Sequence, residues 1–487
     1  MGAVAAVFSR SHVDAPRMVA KMLCAMKHRA LDGAAVAWDG NLSSARWPSG
    51  LNVSSPASHS AVGYGFTRIL PRDSPQPMRA GEGWLCLDGR IVGDGVLVEG
   101  EEAAQLLKRK LTPTKFLSIQ DKTDGAYSIY FSTRNGLLVT RDPIGLKSTF
   151  IGRKGDLVAV VSDRKALWAI GIGEAATFPP GGCLKADSER STVQLPWREA
   201  GTGAASSRPG SNGADELSRL LDESVSIQTR GVAKVAAGFS GGLDSTVVAK
   251  IANDKTPALL LVTVGVGRTL EMMQAQTTAK EIGLPIVTRE LSTDDIEESL
   301  DQVLWQIEEP NLMKVSVAVG MHWTARVALE NERSVIMLGQ GSDELFGGYK
   351  RFATILGERG PEAALKAISE SIRNAHEVNY QRDEQAVSSL RAELRLPYAT
   401  RKMAEFASTV PLNMKVGSPA DHLRKWILRD AAVRLGIPST VAMRPKKAIQ
   451  HTSGIEKAIR QIAKKHGLAP SAYLAGRFQA LRASSVC

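Results

Sequence analysis

The sequence predicts a two-part chain: a strand-rich α+β amino-terminal domain, then an α/β domain with a parallel sheet and a helical carboxyl-terminal part. Three observations predict it. At 487 residues the chain exceeds one ordinary domain of about 150 residues. The run AGTGAASSRPGSNG over 200–213 holds almost nothing that can be buried, so it marks a flexible connection. Across it the hydrophobic period changes from short β-prone runs to strands alternating with helices. The expected domains are therefore residues 1–199 and 214–487, with 200–213 as linker.

In the first part, β-prone runs bounded by turn signals occur at Ala3 to Phe8, Trp84 to Leu87, Tyr127 to Phe131, Leu137 to Thr140 and Leu157 to Val161. In the second, Leu217, Leu220, Leu221 and Val225 follow helical spacing, and Val232 to Phe239 is a small-residue apolar run suited to a buried strand. Further runs at Ala258 to Val266, Pro285 to Thr288 and Val335 to Leu338 alternate with helical stretches, which predicts a parallel sheet covered on both faces. From about Gly357 onward the pattern is mainly helical.

With 43% apolar and 23% charged residues and no apolar run near eighteen, the composition excludes a membrane span, a collagen-like chain and global disorder. Arg10, Arg17 and Lys21 follow the first apolar run rather than precede it, unlike a signal peptide. Cys24, Cys86, Cys183 and Cys487 show no metal-binding spacing, and a cytoplasmic location fits them best. The net charge of +11 is local: Arg401 to Cys487 holds sixteen Lys or Arg against four Asp or Glu. Such a segment suits a solvated face, a nucleic-acid patch or a cleft for a polyphosphate.

The motif Ser240-Gly241-Gly242-Leu243-Asp244-Ser245 lies between a strand ending at Phe239 and a helix starting near Asp244. Two glycines allow close backbone approach, and a helix N-terminus with Ser240 and Ser245 favours a phosphate. A carboxylate in that loop repels the anion unless a divalent cation intervenes, so Asp244 implies Mg²⁺. The alternative is a plain strand-to-helix turn. A second turn, Gly339-Gln340-Gly341-Ser342-Asp343-Glu344-Leu345-Phe346-Gly347-Gly348-Tyr349, again follows a buried strand and can face the same crevice, with Asp343 sharing the ion. Glu344 reads equally as a helix-terminal charge and as a site residue.

The first motif resembles the pyrophosphate loop of ATP-pyrophosphatases, and the two together resemble the synthetase domain of the asparagine synthetase family. The resemblance implies an ATP site built by Phe239, Ser240, Gly241, Gly242, Asp244, Ser245, Val264 and Gly339, with Asp244 and Asp343 as the metal ligands. Lys425-Trp426-Ile427-Leu428-Arg429 is similar to the family's carboxyl-terminal helix, and Arg444-Pro445-Lys446-Lys447 to its RxK segment. By register Lys446 takes the role of stabilising charge on the phosphates. Gln340 stands where many members have a Glu; an amide orients by hydrogen bonds but is no base. Glu271 and Glu344 are weaker candidates for the substrate.

The amino-terminal part resembles the class II glutamine amidotransferase domain, with stacked antiparallel sheets, through Asp124-Gly125-Ala126-Tyr127, Arg141-Asp142-Pro143-Ile144-Gly145 and Ser162-Asp163-Arg164-Lys165. That family hydrolyses glutamine with an amino-terminal cysteine whose α-amine serves as base for its own thiol. Here Gly2 follows Met1, and Asp88-Gly89-Arg90 replaces the glutamine-binding segment, with Arg68 matching the carboxylate-binding arginine. A vestigial, inactive site at Gly2, Arg68, Asp88 and Arg90 is expected.

The expected activity is ATP- and Mg²⁺-dependent conversion of aspartate to asparagine through an acyl-adenylate, with free ammonia rather than glutamine as nitrogen source. The expected partners are small molecules, with no nucleic acid and no membrane, and a homodimer is an open choice. Rival readings are a β-lactam synthetase-like ligase, a tRNA-modifying pyrophosphatase and a non-catalytic regulatory homologue.

Overall fold

The computed structural model describes residues 2–53, 58–93, 96–98, 119, 123–194, 213–445 and 453–484. They divide into two units, one built on residues 1–198 and one on 199–387 and 392–479, with 388–391 and 480–487 counted in the first. Most of the expected linker, 200–212, lies outside the described residues.

The first unit is made of two antiparallel sheets. Its strands are β1 (Gly2–Val13), β2 (Gly33–Trp38), β3 (Asn41–Ala45), β4 (Ser58–Phe66), β5 (Met78–Ala80), β6 (Gly83–Gly93) and β7 (Val96–Val98). After them come β8 (Thr123–Thr133), β9 (Gly136–Arg141), β10 (Phe150–Lys154), β11 (Leu157–Val161), β12 (Ala176–Thr177), β13 (Cys183–Asp187) and β14 (Ser191–Gln194). One sheet runs β12-β10-β11-β1-β4-β2-β3, the other β14-β13-β9-β8-β6-β5 with β7 beside β6.

Strand periodicity sets the layers. Ala3, Ala5 and Val7 of β1 pack with Val19, Met22 and Leu23 of the helix Ala15–Ala25. Val4, Ala6 and Phe8, on the opposite face, meet Tyr130, Val139 and Leu184 of the second sheet. Asp14 starts that helix by accepting from the Arg17 N–H. This is the stacked-sheet architecture that the sequence implies. Strand β4 buries Val62, Tyr64 and Phe66 on one face and the small Ala61, Gly63 and Gly65 on the other, so glycines interrupt the pattern that marks the other strands.

The second unit holds five parallel strands: β15 (Lys234–Gly238), β16 (Ala258–Val266), β17 (Ile286–Leu291), β18 (Val335–Met337) and β19 (Glu393–Arg395). Their order is β17-β16-β15-β18-β19. The chain builds outward from β15 on one side, then returns to add β18 on the other, so the order of strand addition reverses between β15 and β18 while the strands stay parallel. At such a switch point the loops leaving the carboxyl ends part and leave a crevice. The four sequence-derived strands are present. The fifth is an addition: Glu393 and Arg395 pair with each other, buried, at 2.7 Å, so β19 carries no apolar run.

Candidate functional site

The two motif-bearing turns leave these adjacent strands. Phe239 extends β15 by donating its N–H to the Val262 carbonyl at 2.8 Å. Ser240 Oγ accepts from Gly242 N at 3.3 Å, and Gly242 begins the helix Leu243–Lys255 with no side chain capping it. Thirteen residues of helix thus end in N–H groups turned toward the crevice, the arrangement that binds anions.

The second turn is pressed onto the first. A Cβ on Gly339 would stand 2.9 Å from the Asp244 carbonyl carbon, so only glycine allows this approach. Ser342 then donates its hydroxyl to Asp244 Oδ1 at 2.7 Å, tying the turns across 98 residues of sequence. Asp244 and Asp343 converge on one cation, the Lys425 ammonium, whose Nζ lies 2.7 Å from Asp244 Oδ1, 2.5 Å from Asp343 Oδ1 and 2.9 Å from Ser342 Oγ.

Sequence reading placed Lys425 only within a family-like helix. Its position has a visible cost: Arg424 and Lys425 are consecutive left-handed residues, both at φ 54°, a conformation costing about 1–2 kcal/mol per non-glycine residue. Arg429 holds it in place, donating to the carbonyls of Arg424 at 2.7 Å and of Ala442 at 2.5 Å. Arg444 donates to the Gly241 carbonyl at 3.0 Å and to Thr278 Oγ1 at 2.7 Å, bracing the first turn from behind. Both arginines lie in segments that the family resemblance picks out, but the backbone carbonyls they serve leave no pattern in sequence, so these roles come from the structure.

These groups line a cavity of about 560 Å³ within the second unit, a size that takes a nucleotide-class ligand. Of the expected residues, Phe239, Ser240, Gly242, Asp244, Ser245, Val264, Glu271, Gly339, Gln340 and Asp343 line it. Gly241 lies behind the wall with its carbonyl held by Arg444. Glu344 does too: it is 3% exposed and accepts from the Tyr349 hydroxyl and, at 2.7 Å, from Asn379 Nδ2. Burial, and then the charge of Asp343, raises its carboxyl above the ordinary value. Its reach to the cavity is through Tyr349 and Asn379, which do line it. Lys446 and Lys447 lie outside the described residues; Arg444 and Pro445, just before them, are in the wall.

Gln340 is fixed by Asp383, a residue the sequence did not single out. Its amide Nε2 donates to Asp383 Oδ2 at 2.7 Å, while Arg382 Nε donates to the other carboxylate oxygen at 2.8 Å. One amide N–H is committed to Asp383, which fixes the orientation of the group and leaves the carbonyl oxygen and the second N–H for a ligand.

In the first unit the four expected vestigial residues are engaged internally. Gly2 donates its N–H to Asp88 Oδ1 at 3.2 Å, and Asp88 pairs with Lys147 at 3.2 Å. Arg90 forks onto Asp73 at 2.5 and 3.2 Å. Arg68 donates its backbone N–H to Asp32 and lays its guanidinium 5.6 Å over the Phe66 ring. A Cβ on Gly2 would stand 1.9 Å from the Gly65 carbonyl oxygen, so β1 and β4 leave no room for a side chain there.

An antiparallel two-sheet unit joined to a parallel α/β unit with an uncapped helix N-terminus at its crevice is the class that fold and site define. The asparagine synthase family model matches residues 216–390 and 357–480, and the chain belongs to that family. Membership makes it an enzyme, a ligase. It is 30% identical over 388 residues to a putative glutamine-hydrolyzing asparagine synthetase 1 of Methanocaldococcus jannaschii, covering 71% of each chain. It is 23% identical over 435 residues to the glutamine-hydrolyzing asparagine synthetase 1 of Saccharomyces cerevisiae, covering 77% of this chain and 73% of the relative. A solved glutamine phosphoribosylpyrophosphate amidotransferase from B. subtilis covers 59% of this chain and 65% of its own at 19% identity and a TM-score of 0.33, too loose to carry an argument. Among the described residues no helix is long and apolar enough to cross a membrane.

Proposed function

We propose that the chain converts aspartate to asparagine with ATP, using free ammonia. The observation that carries this reading is the meeting of Asp244 and Asp343 on one cation beside an uncapped helix N-terminus. The helix N–H groups and the hydroxyls of Ser240 and Ser245 hold the leaving phosphates. A Mg²⁺ ion fits the donor set: two carboxylates and nearby hydroxyls are hard oxygen ligands. Asp244 and Asp343 would hold it, with room in its shell for phosphate oxygens and water. Bound there, the ion would neutralise phosphate charge.

The aspartate carboxylate forms a bond to the α-phosphorus as the bond to pyrophosphate breaks. Ammonia then attacks the acyl carbon, AMP leaves, and a proton is released. Lys446 is assigned to phosphate charge, and the Gln340 carbonyl to orienting an N–H nucleophile. Free ammonia is the nitrogen source in this reading because position 2 has no space for a thiol and Arg90 is occupied by Asp73. The substrates are small molecules in the cytoplasm, and the basic carboxyl-terminal segment serves the cavity through Lys425, Arg429 and Arg444 rather than a nucleic acid.

Pyrophosphate release is measured with ATP, Mg²⁺ and ammonium across aspartate and other carboxylates. Release is expected to depend on aspartate, to be lost in Asp244→Asn and Asp343→Asn, and not to need glutamine. Release without any carboxylate, or undiminished in both variants, overturns the reading.

A further inference from the structure

Two carboxylates in one crevice, each 14–16% exposed, repel each other unless a cation lies between them. Here that place is taken by a side chain of the protein itself. Lys425 is 2% exposed, and two left-handed residues and the Arg429 brace aim its ammonium at both aspartates. Its stem is enclosed as well: a Cβ on Gly348 would stand 2.1 Å from Lys425 Cε and 1.9 Å from Asp343 Oδ1. A flexible surface lysine needs none of this. The fold has specified this ammonium's position as closely as it has specified the aspartates.

We propose that Lys425 is a built-in counter-cation that makes divalent-ion binding at Asp244 and Asp343 conditional on a polyphosphate ligand. With the ammonium in place, the pair already has its positive charge, and a free divalent ion gains little there while facing a like charge. A polyphosphate brings several negative charges, enough for the ammonium and a divalent ion together. Metal and nucleotide therefore bind jointly, and the empty site does not collect metal. The inference rests on the reading of this crevice as a metal–nucleotide site and adds how that site is gated.

The test uses Mn²⁺ as a spin probe on the full chain, with free ion read by electron paramagnetic resonance. In the wild-type chain, Mn²⁺ alone is expected to stay free, and with a non-hydrolysable ATP analogue present to be taken up beyond what the analogue binds in a protein-free control. Lys425→Met is expected to bind Mn²⁺ alone at least tenfold more tightly than the wild type, and the double variant Lys425→Met, Asp343→Asn to lose that gain. The wild-type comparison stands even if Lys425→Met does not fold. Wild-type chain that binds Mn²⁺ equally with and without the analogue, a folded Lys425→Met with no gain, or a gain that survives Asp343→Asn each overturns the proposal. None of these readouts involves turnover, so failure of aspartate-dependent pyrophosphate release with the expected Mn²⁺ pattern would sink the proposed reaction and leave the gate standing.

Discussion

Gln340 donates its side-chain amide to the fully buried carboxylate of Asp383 across 2.7 Å, so the polarity of the cavity wall at this point is set by a residue behind it. Gln340→Glu would put two carboxylates against Arg382. The introduced glutamate would have to keep a proton, raising its pKa in the folded state above the unfolded value of about 4.3. A raised folded pKa means that stability is lost as pH rises. Wild type and variant are expected to melt alike near pH 4.5 and to differ by about 1–3 kcal/mol at pH 7. Parallel melting curves from pH 4.5 to 8 would show that the two groups do not share a proton.

Gly348→Ala is expected to be the most damaging single methyl group in the site. Its Cβ would meet Asp343 Oδ1 at 1.9 Å and Lys425 Cε at 2.1 Å, so the aspartate or the lysine must move. Overpacking of this kind costs about 1–3 kcal/mol. Loss of pyrophosphate release should exceed what the change in melting temperature explains. A variant with wild-type activity contradicts the close packing of this corner.

Glu344 offers a second pH signature. Burial raises its carboxyl, Asp343 raises it further, and the Tyr349 hydroxyl bond opposes both without prevailing. A proton held in the fold but not in the unfolded chain stabilises at low pH and is lost as pH rises through the raised value. Glu344→Gln keeps an oxygen for Tyr349 and Asn379 and removes the titration. Its stability relative to wild type should therefore increase as pH rises from about 4.5 toward 7, measured by chemical denaturation. A constant difference across that range counts against a buried, proton-holding Glu344.

Restoring a thiol at position 2 should not restore glutamine hydrolysis. In Gly2→Cys the new Cβ would lie 1.9 Å from the Gly65 oxygen and 3.0 Å from the Tyr64 ring, and Arg90 would remain bound to Asp73. The expected outcome is a chain destabilised by about 1–3 kcal/mol that releases no glutamate from glutamine. Glutamate release in step with asparagine formation would refute it.

The two turns were legible because each must satisfy the backbone and the ligand at once, and that double demand confines residue choice over a few adjacent positions. Gly339 and Gly348 are glycine for the same reason, close approach, and so fall inside a readable motif. Lys425 and Arg444 act on groups far away in the chain, 181 and 203 positions off, while Arg429 acts on backbone carbonyls, which any residue supplies. Nothing near them in sequence signals the partner. Asp383 was hidden likewise, 43 positions from Gln340. The strand β19 escaped because its buried residues are an ion pair, so a search for apolar runs finds nothing there.

Only three residues of β18, Val335 to Met337, carry the second turn into the crevice, yet they are hydrogen-bonded on both sides, to Val235–Ala237 and to Glu393–Arg395. A slip of one position would shift the turn by about 3.3 Å and turn each side chain to the opposite face. Two neighbours must slip together for that to happen. The spacing of the reacting groups is thereby decoupled from the long helical segments between them, which can lengthen or drift in sequence without moving the chemistry.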